Sequence, residues 1–198
     1  MAIDYSLASL IAVSLIAIIT LVGIIWTNKR MRESNKLTRT QLENTFRAEL
    51  QIEKADSGVG EKKGKPYGFF KPILRNIGTV SATNIRVYNY YKFSEIKIEE
   101  LVKEKKKIKS TRVIEISGGL PREDAIPVQE IPVPLDEKKP FHIAIWVEYD
   151  YLEKRKNELI QVFHVSEGFV CEKKSTFEKP HIEEAEKNLK EKGFILND

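Results

Sequence analysis

His142, His164, His181 and Cys171 supply all the imidazole and thiol chemistry open to this 198-residue chain. His142 and His164 fall in two neighbouring apolar runs that should pair as a hairpin, which would bring the rings close together. A zinc ion takes four ligands at one converging point. Only Cys171 and Glu148 could complete such a set, and neither sits at a ligand-type spacing, so no metal is expected. Glu148 and Asp150 are two residues apart on one face of a strand. A carboxylate pair can act as general acid and base in glycoside hydrolysis, but no cleft signature accompanies this one, and both are expected to face solvent. A nucleophilic Ser or Cys needs a His and an acid to activate it, and no motif assembles the three. Gly118-Gly119 lacks the Lys-Ser/Thr that completes a phosphate-binding loop, so it is expected to be a turn. The expectation is a non-enzymatic chain without a cofactor.

Composition bounds the partners. Hydrophobic residues make up 41% and charged residues 31%, a balance that suits a folded core rather than a disordered tail. The net charge is +4, and much of the positive charge is local. That does not make the basic, aromatic-rich surface of a nucleic-acid binder. A single cysteine forms no intrachain disulfide, which leans toward a reducing compartment. No Asn-x-Ser/Thr acceptor is present.

Whatever these residues do, they are expected to do it beside a membrane. After a short tail, 1–6, residues 7–26 carry no charge. At about 1.5 Å per residue this run is about 30 Å long as a helix, which matches the hydrocarbon core of a bilayer. Leu7, Ile11, Leu15 and Ile19 represent its apolar surface. Ser9, Ser14 and Thr20 can bond back to helix carbonyls. Trp26 marks the boundary, where an amphipathic ring is favoured. A cleaved leader would carry basic residues ahead of a shorter run; here Lys29, Arg30 and Arg32 follow it instead. Basic flanks stay cytoplasmic, so a short outer N-terminus and a cytoplasmic domain are expected, the extracellular arrangement being the alternative. Ala8, Ser9 and Ala12 would allow another helix to approach closely, so a helix-mediated oligomer is one option. Residues 27–46 form a polar connector, helical to about residue 44.

A β-domain is expected over 47–170. Strand signals fall at 48–54, 67–77, 83–93, 111–116, 125–134, 141–150 and 159–165, with a Gly/Lys loop at 57–65 and a hairpin loop at 153–157. Pro127, Pro132 and Pro134 confine their segment to an edge. Ile85, Val87, Tyr91 and Phe93 share one face of their strand, and Arg86, Tyr88 and Tyr90 the other. In 141–150 both faces are apolar enough to be covered. Leu74, Ile85, Val87, Ile143, Ile145 and Val147 are the expected core. Ile98, Leu101, Val102 and Ile108 indicate a short helix within a lysine-rich insertion. There Lys103, Lys105, Lys106, Lys107 and Lys109 could touch anionic lipid or form a solvated face. The region 171–198 is expected to be a helical tail. Pro180 starts its helix, Glu183 and Glu184 follow in the first turn, Lys190 and Lys192 lie in the last, and Gly193 caps it. Its stripe of Ile182, Ala185 and Leu189 is expected to pack on the domain. Tyr88, Tyr90 and Trp146 form a candidate interaction surface unless that helix covers them.

The segment Leu74-Arg75-Asn76-Ile77-Gly78, followed by Ala82-Thr83-Asn84-Ile85-Arg86-Val87, resembles the CARDB-type and fibronectin-type-III-like sandwiches of prokaryotic membrane and surface proteins. There an Asn-x-Gly turn joins two strands; Asn closes the turn through backbone bonds and Gly supplies positive φ. Ile131-Pro132-Val133-Pro134 through Tyr149 is similar to a later loop and strand. Over about 100 residues the resemblance implies an Ig-like antiparallel β-sandwich, a frequent extracellular location and no catalytic residues. The expected fold is therefore mainly β, with one transmembrane helix and connector ahead of the sandwich and a C-terminal helix behind it. The expected function is a membrane-anchored, non-catalytic binding or scaffolding module, an accessory in a membrane assembly. Its partners would be the lipid bilayer and a protein, not nucleic acid. The alternatives are an outward-facing adhesion or envelope module of the same fold and, third, a membrane-bound hydrolase.

Overall fold

The computed structural model describes residues 5–110, 113–133, 135, 139–152, 155–194 and 196. The chain divides into two units, residues 1–45 and 46–198.

The first unit is one helix, α1 (Tyr5–Thr45). No proline interrupts it and a single glycine, Gly23, sits inside it. It runs unbroken from the apolar segment through the polar connector, one residue beyond the expected end. Thr20, Thr40 and Thr45 each donate to the carbonyl four residues back, which satisfies their hydroxyls without a polar neighbour. The helix is long and apolar enough to cross a membrane, and none of its apolar window is buried.

Among the described residues the second unit holds nine strands in two antiparallel sheets. In the smaller sheet β1 (Leu50–Lys62) pairs with β2 (Lys65–Asn76). The other edge of β2 takes β5 (Ala125–Pro127) and β6 (Ile131–Val133). The larger sheet runs β4 (Ile114–Ile116), β3 (Thr83–Lys92), β7 (Phe141–Tyr151), β8 (Arg155–Val165), β9 (Cys171–Glu178). Alternate residues of each sheet meet in one core. Leu50, Ile52, Phe70 and Leu74 come from the smaller sheet, and Ile85, Val87, Ile143, Ile145 and Val147 from the larger. The Phe70 and Phe163 rings lie 5.2 Å apart within it. The expected core residues are thus all inside.

The outer face of the larger sheet builds a second core. Ala144, Trp146, Ile160 and Val162 are covered by α2 (Ile98–Lys103), α3 (Lys105–Ser110) and α4 (Lys179–Glu191). This is why β7 is apolar on both faces. The expected packing of Ile182, Ala185 and Leu189 is found here. The ends of α4 are set locally. Glu178 and His181 form a reciprocal capping box, with Pro180 in the first turn. At the other end Gly193 has φ +82°, Phe194 N donates to Leu189 O and Gly193 N to Lys190 O, the bonds of a Schellman ending.

The Asn-x-Gly turn is built on different physics from that expected of its glycine. Asn76 is fully buried. Its Oδ1 accepts from Gly78 N and Glu49 N, and its Nδ2 donates to Val80 O and Leu120 O. Gly78, however, is not at positive φ. It is required by close approach, because a Cβ there would lie 2.3 Å from Arg47 O and 2.4 Å from Glu49 N.

Further features differ from expectation. The 57–65 segment is not a loop: β1 continues through it, and Lys63 and Gly64, both at positive φ, make a two-residue turn into β2. Gly58 and Gly60 weaken the strand signal, but they face the rings of Phe69 and Tyr67, which lie over them. Residues 171–178 are the fifth strand of the larger sheet, not helical tail. The strand is polar because it is an edge strand with one neighbour, β8. Tyr91 and Phe93, expected on the face of Ile85 and Val87, are 45% and 54% exposed. Past Val87, β3 outruns β4 and has no strand on that side among the described residues. The insertion is two short helices rather than one, and β8 begins at Arg155, inside the expected hairpin loop. Residues 111–112 of the expected 111–116 strand, Pro134 of the proline-rich edge, and Glu153 and Lys154 of that loop lie outside the described residues.

Candidate interaction surfaces

On α1 the exposed apolar surface includes Leu15 (54%), Ile19 (69%) and Trp26 (56%). The side chains of Leu7 and Ile11 lie outside the described ones. The Arg30 guanidinium sits 4.2 Å from the centre of the Trp26 ring. One helical turn past the apolar run, a cation therefore stacks on the boundary aromatic. Lys29 and Arg32 flank it on the same exposed helix.

The expected aromatic patch is not on the surface. Tyr88 and Trp146 are buried and Tyr90 is half-buried, all within the second core. Alternation placed them correctly on one face of the sheet; the helices then cover that face. The two phenol oxygens are taken up inside, while Trp146 Nε1 is buried without a hydrogen-bond partner among the described residues. Tyr88 Oη donates to Glu148 at 3.0 Å, and Tyr90 Oη to Glu100 at 2.9 Å. Burial first, and then the neighbouring carboxylate, pushes each phenol up to about 12.

The lysine run is divided by helical geometry. Lys105, Ile108 and Lys109 share one side of α3, at spacings of three and four. Ile108 enters the second core, and the two ammonium groups flank the Trp146 ring at 5.4 and 5.2 Å. Lys109 pairs with Glu148; Lys105 pairs with Glu186 at 2.7 Å and reaches Glu158 at 3.7 Å. Burial alone would depress Lys105, but the Glu186 hydrogen bond and the charges of Glu158, Glu186 and Glu148 outweigh it and raise its pKa. Lys103 lies over the Phe194 ring, Lys107 pairs with Glu104, and Lys106 is exposed. A lysine-rich insertion whose apolar residues recur at helical spacing was the available signal for this docking.

His142 and His164 are paired across β7 and β8, with ring centres 4.7 Å apart. Lys92 and Glu172 continue the row on either side. Desolvation, and then the charge of His164, lowers the pKa of His142. Cys171 is on the other face of the sheet, against the first core, and burial pushes its thiol up to about 12. Glu148 stands opposite Glu158, six residues along β7. The two histidines converge, and the other two candidate ligands do not. His181 is engaged at the N-terminus of α4. Asp150 accepts from Asn84 Nδ2 at 2.9 Å, while Glu148 is half-buried between Tyr88 and Lys109 rather than facing solvent. The two carboxylates thus have separate structural partners.

One open site lies where no motif pointed. The distal part of the β1–β2 hairpin and the β5–β6 connection enclose a groove of about 960 Å³. Lys62, Lys63, Lys65 and Lys71 line it, and Glu130 is its single carboxylate. Pro66, Tyr67, Pro127 and Pro132 supply apolar surface. Tyr67 Oη donates to Glu130 at 2.6 Å, tying hairpin to connection, and that bond raises the phenol's pKa. The lysines of the expected 57–65 loop were legible; that a continued strand would carry them to one groove was not.

No protein-family model matches the chain, and neither a curated protein nor a solved structure matches it significantly.

Proposed function

We propose that this chain is a membrane-anchored, non-catalytic binding or scaffolding module, with α1 as its single span. The carrying observation is that the apolar stretch of α1 is exposed from Val13 onward, its described part. Twenty uncharged residues left in water would be strongly unfavourable, and a bilayer removes that cost. The cation on Trp26 and the basic residues around it support placement of the 27–32 end at a headgroup boundary. The same charge asymmetry supports a cytoplasmic β-domain. An Ig-like sandwich is the fold we propose for that domain, since two antiparallel sheets sharing one core fit it. A binding role rather than a catalytic one is supported by Glu148, Glu158 and Asp150 being engaged in packing and pairing.

The test is membrane fractionation followed by protease treatment of intact cells, with a tag after Asp198. Resistance to carbonate extraction and protection of the tag are expected. Release by carbonate would overturn the anchor. Digestion of the tag without lysis would place the domain outside and replace the scaffold with an adhesion or envelope module.

A further inference from the structure

We infer that the groove between the β1–β2 hairpin and the β5–β6 connection is the docking site for an extended acidic protein segment that carries apolar side chains among its carboxylates. This rests on the proposal that the β-domain is a binding module, and it names the class of partner.

The charge pattern comes first. The half-buried lysines around the second core are neutralised at close range: Lys105 by Glu186, Lys109 by Glu148, Lys92 by Glu100. Lys62, Lys63, Lys65 and Lys71 make no ion pair among the described residues. Four unpaired cations against one lining carboxylate, Glu130, with Asp56 across the strand from Lys71, leave a net positive field over a concave surface, and such a surface draws anionic chains.

Shape then selects among anions. A lipid surface is flat on this scale and would meet the turn lysines, Lys62 to Lys65, while leaving Lys71 and the apolar floor uncovered. A single nucleic-acid strand wants free aromatic faces to stack on; the aromatic here, Tyr67, is tethered to Glu130 and lies over Gly60. An extended peptide fits better. Its apolar side chains can cover Pro66, Pro127 and Pro132 while its carboxylates reach the four lysines. A backbone edge is also available. β6 pairs only with Gly68, Phe69 and Phe70, so β2 at Tyr67 has β1 as its single strand neighbour among the described residues, while Pro66 beside it offers a carbonyl but no N–H. Adding a strand to such an edge is a recurring mode of peptide capture.

The experiment uses the full chain in phosphatidylcholine nanodiscs and a fluorescein-labelled octapeptide of alternating glutamate and leucine, read by anisotropy. Saturable binding is expected. The Lys62→Ala/Lys65→Ala/Lys71→Ala variant should weaken it about tenfold or more, and Lys106→Ala/Lys107→Ala should leave it unchanged. Circular dichroism of both variants would verify that each is folded. Lys71→Ala alone should weaken the peptide measurably, which contact through the turn would not produce. An alternating glutamate–serine octapeptide should bind more weakly than the leucine peptide. The assignment is overturned by absence of saturable binding, by equal binding in the triple and control variants, or by equal affinity for the serine peptide. It is also overturned by tighter binding to phosphatidylserine vesicles or to a thymidine oligonucleotide than to the leucine peptide. Carbonate extraction of the chain would remove the anchor and leave this result standing; loss of peptide binding would leave the anchor standing.

Discussion

Gly78 packs against Arg47 so closely that a Cβ at position 78 would fall 2.3 Å from the Arg47 carbonyl oxygen. The obstacle is backbone, which cannot swing aside as a side chain would. Thr79 N donates to the same carbonyl at 2.8 Å, which holds it in place. Gly78→Ala should therefore destabilise the β-domain by at least the 1–3 kcal/mol typical of overpacking, roughly. Asn76→Ala, beside it, would strip the acceptor from Glu49 N and Gly78 N and should cost about 1–3 kcal/mol or more. Denaturant midpoints would check both. A neutral Gly78→Ala would mean that the two segments do not meet as described.

Ile145 is fully buried between the sheets, whereas Lys106 is exposed on α3. Ile145→Ala should cost about 2–5 kcal/mol, the range for emptying a packed aliphatic site. Lys106→Ala should cost under about 0.5 kcal/mol. Equal effects in equilibrium unfolding would contradict the assignment of faces on β7.

Two ion pairs of similar chemistry differ in setting. Lys109 and Glu148 retain 26% and 22% side-chain exposure beside Trp146, while Arg86 and Glu115 retain 54% and 70%. Glu148→Ala leaves a partly desolvated ammonium and the Tyr88 hydroxyl without their acceptor, and should cost about 1–3 kcal/mol. Glu115→Ala should cost about 0–1 kcal/mol. Double-mutant cycles with Lys109 and Arg86 would measure the two couplings. A larger coupling at the exposed pair would contradict the burial of α3 against the sheet.

His142 predicts the direction of one pH effect. Its folded pKa is lowered, by burial first and then by His164, so the unfolded chain binds the proton more readily. Stability should then fall as pH drops below the unfolded value of about 6.5 and level off below the folded one. Lys174 adds to the lowering, while Glu95 and a backbone bond at Ser94 oppose it. Midpoints taken between pH 5 and about 7.5 should slope less in His142→Gln than in the parent. An unchanged slope would remove His142 as the source.

Where one stretch of chain contains all the relevant physics, the amino-acid sequence by itself determined the outcome. The uncharged run of α1 needs only its own composition to be apolar enough for a membrane. Pro180, Gly193 and the stripe between them start, stop and orient α4 through bonds that span a few residues. The two-sided apolar pattern of Phe141–Tyr151 required cover on both faces. The tertiary structure decided what depends on a distant partner. Alternation put Tyr88 and Trp146 on one face but could not say that α2, α3 and α4 would close over it. Lys105 and Lys109 read as surface charge until Glu148, Glu158 and Glu186 arrived from other elements. The glycines of Gly58–Gly60 argued for a loop, and the Cys171–Glu178 run was too polar for a core strand; in each case pairing with a neighbour outweighed local propensity. Gly78 owes its necessity to a backbone 31 residues earlier (78 minus 47), and no local preference encodes that distance.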